Sequence, residues 1–110
     1  MAKRHFTIVE TPTFTRLVTA NLSEEDYRTL QVELARNPEL GKVIPESGGI
    51  RKLWWGGEGR GKSGGFRIIY YSATTAQKVL MLYMYAKNVA DDLTKDQLKA
   101  LAKVVKEEYK

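Results

Sequence analysis

The residues of this sequence that could do chemistry crowd into one stretch, 48–71, GGIRKLWWGGEGRGKSGGFRIIYY. Arg51, Lys52, Arg60, Lys62 and Arg67 place five cations there against the single carboxylate of Glu58, and adjacent Trp54 and Trp55 offer flat aromatic faces. Cations set beside rings in this way suit a polyanion. The loop between the apolar ends is glycine-rich, which permits close approach of backbone or phosphate beyond anything that solubility requires.

Two sequence patterns for nucleotide phosphates also fall here. Gly56–Ser63 reads G-x-x-x-x-G-K-S, and Gly59–Gly64 reads G-x-G-x-x-G. A phosphate loop works because its glycines lead into a helix whose first amides and positive dipole end hold the phosphates. Here Phe66-Arg67-Ile68-Ile69-Tyr70-Tyr71 follows instead, and this β-branched, aromatic run reads as a strand. Both matches are therefore read as empty.

Composition narrows the remaining chemistry. At 110 residues there is room for a single domain, 1–110. The absence of cysteine removes disulfides, thiolate zinc sites and a cysteine nucleophile together. His5 is the only histidine, so a two-histidine ribonuclease mechanism is excluded, and the residue is expected at the surface by a strand end. Asp91-Asp92 reads as a turn and helix entry rather than a metal pair, and no cofactor is expected. No apolar run approaches the ~18 residues of a spanning helix, so the expectation is a cytoplasmic protein without membrane contact. A net charge of +5 and a pI near 9.5 favour acidic partners.

The elements that must position these residues follow from periodicity and caps. His5–Glu10 alternates as a short strand, and Thr11-Pro12 starts a helix with Phe14, Leu17 and Val18 on one face. Ser23 caps a second helix, with Glu24, Glu25 and Asp26 at its positive end and Tyr27, Leu30 and Leu34 in a stripe, until Asn37-Pro38 stops it. Pro38–Gly49 reads as loop, and Ile50–Trp55 and Phe66–Tyr71 as a wide antiparallel hairpin around the cationic loop. Ser72–Gln77 is a polar turn, and Lys78–Ala86 is apolar enough for a central strand covered on both faces. Thr94 and Gln97 form a capping box for a last helix striped by Leu98, Leu101, Ala102, Val105 and Tyr109. The expected architecture is α+β, with the helices on one face of a small antiparallel sheet. If Lys52 faces the site, Trp54 shares its face while Leu53 and Trp55 turn inward, which leaves Arg51 in need of a partner.

An N-terminal helical pair followed by G-I-R-K-L, a basic glycine loop, G-G-F-R-I-I-Y-Y, an apolar strand and Y-A-K-N-x-x-D-D-L-T resembles the RelE/ParE superfamily of bacterial toxins, and within it the HigB-like branch of RelE-type mRNA interferases. The resemblance runs from about Ser23 to the last helix. It implies the toxin of a type II toxin–antitoxin system, a ribosome-dependent messenger-RNA endonuclease that inhibits translation without a metal. It also implies a cognate antitoxin, often a helix-turn-helix protein, and a free toxin that is a monomer until the two combine. In such enzymes the ribose 2′-hydroxyl attacks the adjacent phosphate, which calls for a base, cations for the developing charge, and an acid for the leaving oxygen.

Carried over residue by residue, the resemblance assigns Arg67, in R-I-I-Y, to the scissile phosphate and Lys52, in R-K-L, to charge or proton transfer. Lys87 follows as the third catalytic residue, and Arg60 and Lys62 match the basic loop that binds RNA. Asn88 stands where such nucleases often carry an arginine, and Thr94 where they carry a tyrosine. Tyr85 could replace that aromatic by stacking on a base, and Trp54 could line the RNA groove. A lysine transfers protons near neutrality only where neighbours disfavour its charge, and Arg51, Arg60, Lys62 and Arg67 could form such a crowd around Lys52. Two readings compete: a ParE-like inhibitor of DNA gyrase, and a non-catalytic RNA- or ribosome-binding module.

If the phosphate-loop patterns are empty, ATP or GTP with magnesium leaves the melting temperature unchanged, since a ligand that binds only the folded state raises it by mass action. A nucleotide-dependent rise in a thermal melt would reinstate Gly56–Ser63 as a phosphate site.

Overall fold

A computed structural model describes residues 5–56, 65–86 and 92–109. In chain order the elements are β1 (Thr7–Glu10), α1 (Pro12–Asn21), α2 (Glu24–Arg36), β2 (Lys42–Val43), β3 (Ile50–Trp55), β4 (Phe66–Ala73), β5 (Lys78–Ala86) and α3 (Lys95–Glu108). They form one five-stranded sheet in the order β1-β5-β4-β3-β2. β1 runs parallel to β5, and every other neighbouring pair is antiparallel. The α+β class and the expected element order hold. The sheet is mixed rather than purely antiparallel, and β2, two exposed residues inside the expected loop, is an added edge.

The helices do not share one face, as the sequence reading had them. Phe14, Val18, Leu22, Leu30 and Leu34 of the first two helices and their junction pack on Ile68, Tyr70, Val79, Met81 and Met84. On the opposite face Val105, with Leu98, Leu101, Ala102 and Tyr109, packs on Ile50, Ile69, Leu80 and Leu82. The reason lies in β4 and β5, which are apolar on both sides. Each large side chain buried there is worth about 1.5–3 kcal/mol, so both faces need a cover and the stripe of α3 supplies the second.

All three helix starts are capped by the expected residues. Thr11, Ser23 and Thr94 accept from the backbone amides of Phe14, Asp26 and Gln97, and the Thr94–Gln97 capping box is complete. Thr11 does more than cap. Its amide donates to the carbonyl of Met81, and its hydroxyl lies 3.1 Å from that oxygen and 3.3 Å from the carbonyl of Leu82. Those carbonyls belong to a β-bulge: Ile69 pairs with Tyr83 but Tyr70 pairs with Met81, so Leu82 is an extra residue in β5. Leu82 and Tyr83 consequently both face α3.

The α2–β2 connection is pinned from beneath by β4. The buried Tyr70 hydroxyl accepts from the amide of Gly41 at 2.7 Å and donates to the carbonyl of Pro38 at 2.9 Å. Burial pushes its pKa up, so the hydroxyl is neutral across the physiological range. Gly41 has no room for a side chain, because a methyl group there would stand 2.9 Å from the carbonyl oxygen of Lys52. Replacing Tyr70 by Phe strips a buried amide and a carbonyl of their partner, and should lower stability by about 1–3 kcal/mol in urea unfolding. An unchanged midpoint would mean that the connection re-forms its hydrogen bonds elsewhere.

Candidate active site

Strand register brings the site residues together. Trp54 of β3 lies opposite Arg67 of β4, and Arg67 lies opposite Tyr85 of β5, so the three form a row across the sheet. One step inward, Lys52, Ile69 and Tyr83 form a second row on the same face, the one that carries α3. Leu53 and Trp55 turn to the α1–α2 core as expected.

Arg67 is held in the middle of this row by neighbours on both sides. It is half-buried, and its Nη1 is sealed from solvent with no hydrogen-bond partner among the described residues. Burying a charged donor without an acceptor is unfavourable, so Nη1 calls for an acceptor that the described residues do not supply.

The two aromatic neighbours differ. Tyr85 is only 9% exposed and packs against Tyr83, with ring centroids 6.2 Å apart. The strand register places it opposite Arg67. Trp54 is 50% exposed. Its indole lies over the two glycines where the cationic loop begins and ends: a methyl group would come within 2.6 Å of the ring at Gly56 and 2.5 Å of Nε1 at Gly65. The glycines thus seat one side of the ring and leave the other open.

The crowd of cations expected around Lys52 takes a different form. Arg51 points to the opposite face, where its guanidinium donates to the carbonyl of Gly41 at 2.7 Å and approaches that of Glu39 at 3.4 Å. Strand alternation forces this, since successive residues of β3 cannot share a face. Lys52 Nζ instead stands 3.3 Å from the carboxylate of Asp92, which also accepts from the amide of Leu93 and leads into α3. Lys42, directly opposite Lys52 on β2, was missed in the sequence because a two-residue strand leaves no periodic signal. Lys42, Lys52, Arg67, Trp54 and Leu40 line an open cleft of about 400 Å³. Arg60, Lys62, Lys87 and Asn88 lie outside the described residues. Among the described residues no three His, Asp or Glu side chains gather as a metal site, and no helix is long and apolar enough to cross a membrane.

No family model matches the sequence. Among solved structures, a mutant of the Escherichia coli toxin RelE in the free state is similar with a TM-score of 0.60 at 12% identity, over 92% of this chain and 97% of that one. The toxin–antitoxin complex RelBE2 from Mycobacterium tuberculosis contains a chain similar with a TM-score of 0.55 at 19% identity, over 77% of this chain and 94% of that one. Likeness at such low identity is a likeness of fold: this chain has the RelE-like α+β architecture.

The seating of Trp54 is testable by itself. Gly65→Ala should displace the indole, shifting tryptophan emission in a Trp55→Phe background, while stability falls by less than about 1 kcal/mol because an exposed side chain can swing aside. Unchanged emission would show that Trp54 does not rest on the glycines.

Proposed function

We propose that this chain is the toxin of a toxin–antitoxin pair of the RelE type and that it cleaves messenger RNA on the ribosome. The observation that carries the proposal is the guanidinium of Arg67, half-buried in the sheet between Trp54 and Tyr85 with a sealed nitrogen lacking a partner among the described residues. A surface that only docks a protein has little need of a guanidinium confined in this way. The fold shared with a RelE toxin and with a chain of a toxin–antitoxin complex supports the same reading, as does the resemblance of the glycine-rich basic sequence to the HigB-like branch.

The chemistry suits these residues. The ribose 2′-oxygen loses its proton and attacks the adjacent phosphorus, the bond from phosphorus to the 5′-oxygen breaks, and the 5′-oxygen takes up a proton. The products are a cyclic phosphate and a 5′-hydroxyl. Arg67 would hold the phosphate and stabilise the charge that builds on its equatorial oxygens. Lys52 would exchange Asp92 for the phosphate, an easy exchange because both partners of the pair are partly open to water, 32% and 66% exposed. Lys42 adds charge at the cleft mouth, Trp54 offers a ring for a neighbouring base, and Lys87 would assist from the segment after β5. Protein cations thus supply the charge stabilisation that a metal supplies elsewhere. A cognate antitoxin, of the helix-turn-helix kind in the HigB-like branch, would hold the free toxin in check by covering this basic face in the cytoplasm.

Single-turnover cleavage on programmed ribosomes tests the proposal. Wild-type protein should cut the message, and Arg67→Ala should be slower by at least roughly a hundredfold at saturating protein, equivalent to about 3 kcal/mol of transition-state stabilisation. A near-normal rate for the folded variant at saturation would reduce Arg67 to a binding contact. Intact messages with arrested DNA synthesis would point instead to gyrase.

A further inference from the structure

The reaction proposed above needs a group that takes the proton of the ribose 2′-hydroxyl, and the lining of the cleft offers none. Its charged side chains, Lys42, Lys52 and Arg67, are all cations, and an ammonium or a guanidinium has no lone pair with which to accept a proton. A carboxylate reaches the cleft from outside the sheet. Asp92, at the entry to α3, stands 3.3 Å from Lys52 Nζ through its Oδ1. The same oxygen accepts from the amide of Leu93 at 3.0 Å, and Leu93 packs into the core beneath α3, so the backbone sets where the carboxylate stands. Oδ2 has no hydrogen bond or ion pair among the described residues.

Register ties this pair to Arg67. Lys52 pairs with Ile69 and Trp54 with Arg67, which makes Lys52 and Arg67 diagonal neighbours on one face. Such neighbours lie about 7–8 Å apart at the backbone, so one phosphate can be met by both side chains. A phosphate that draws Lys52 away leaves Asp92 without its counter-ion. A carboxylate that loses its cation binds a proton more readily, and it does so here at the moment the substrate is in place.

We propose that Asp92 is the base of the reaction, masked by Lys52 in the free protein and released when Lys52 turns to the phosphate. The inference rests on the nuclease reading above and assigns the proton transfer that the reading leaves open. Oδ2 takes the 2′-hydroxyl proton as the 2′-oxygen bonds to phosphorus. The bond to the 5′-oxygen breaks with its electron pair on that oxygen, which takes a proton from water, and Asp92 gives its own proton to water after the products leave.

Asp92→Asn is the informative variant, because its amide oxygen can still accept from Leu93 and the melting temperature should hold. Single-turnover cleavage on programmed ribosomes at saturating protein should slow by roughly a hundredfold or more, while ribosome binding holds or tightens because Lys52 has lost its mask. Asp92→Glu, which keeps a carboxylate, should cut faster than Asp92→Asn. A second message carries sulfur in place of the leaving 5′-oxygen. Sulfur departs without a proton, so this message compensates for a missing acid but not for a missing base, and Asp92→Asn should stay slow on it. A near-normal rate for Asp92→Asn, a rate restored by the sulfur, or a melting temperature that falls along with the rate overturns the base role and leaves the nuclease reading standing. A wild type that cuts neither message takes both down.

Discussion

The structure depends on one extra residue in its central strand. β5 must bury Val79 and Met81 against α1 and α2 near its start, yet deliver Tyr83 and Tyr85 to the α3 face further on. Strict alternation would send Tyr83 and Tyr85 to the α1–α2 side with Val79 and Met81, because every side chain shares a face with the one two positions away. Leu82 resolves the conflict as the bulge, and Thr11 stabilises it by meeting the carbonyls of Met81 and Leu82 from the start of α1. The capping residue of the first helix and the position of Tyr85 beside Arg67 are thus parts of one arrangement. The strand is apolar on both faces because it has to satisfy both layers.

That two-sided burial also sets the electrostatics of the site. Arg67 emerges from a strand whose neighbours Phe66, Ile68 and Ile69 are all buried, so its guanidinium begins in an apolar setting and is confined by Trp54 and Tyr85. A cation so placed is held in position before any ligand arrives, which is the preorganisation that the proposed phosphate role of Arg67 asks for. Lys52 is different in kind. Its partner Asp92 sits at the entry to α3 in a solvent-accessible pair, the sort of contact worth about 1 kcal/mol or less and therefore exchangeable. One cation is fixed and another is releasable, a division that suits the phosphate chemistry proposed for the site.

The glycines that frame the basic loop have a role that composition alone could not separate from flexibility. Gly56 and Gly65 face the Trp54 indole and leave space for it to lie flat. Gly41 works in the same way at the opposite side of β3, where it lets the α2–β2 connection pass close to Lys52 and receive the Tyr70 hydroxyl. Small residues here make room for particular large ones, and one of them, Trp54, borders the cleft of Lys42, Lys52 and Arg67.

The amino-acid sequence by itself determined whatever depends on neighbours along the chain. Thr11-Pro12, Ser23 and Thr94 with Gln97 mark the helix starts, the stripe from Leu98 to Tyr109 marks a buried helical face, and β-branched and aromatic runs mark β3, β4 and β5. The same local logic emptied the phosphate-loop patterns, because a strand-forming run follows the glycines, and it turned Leu53 and Trp55 inward once Lys52 and Trp54 were set outward. What only the tertiary structure decided depends on partners distant in the chain. The bulge at Leu82, the parallel docking of β1, the split of helices between two faces, the pairing of Lys42 with Lys52 and the ion pair to Asp92 leave no periodic trace, because each is a choice among backbone partners that many sequences could make. The row of Trp54, Arg67 and Tyr85 comes from both sources: residue types supplied the chemistry, and register across three strands supplied the geometry.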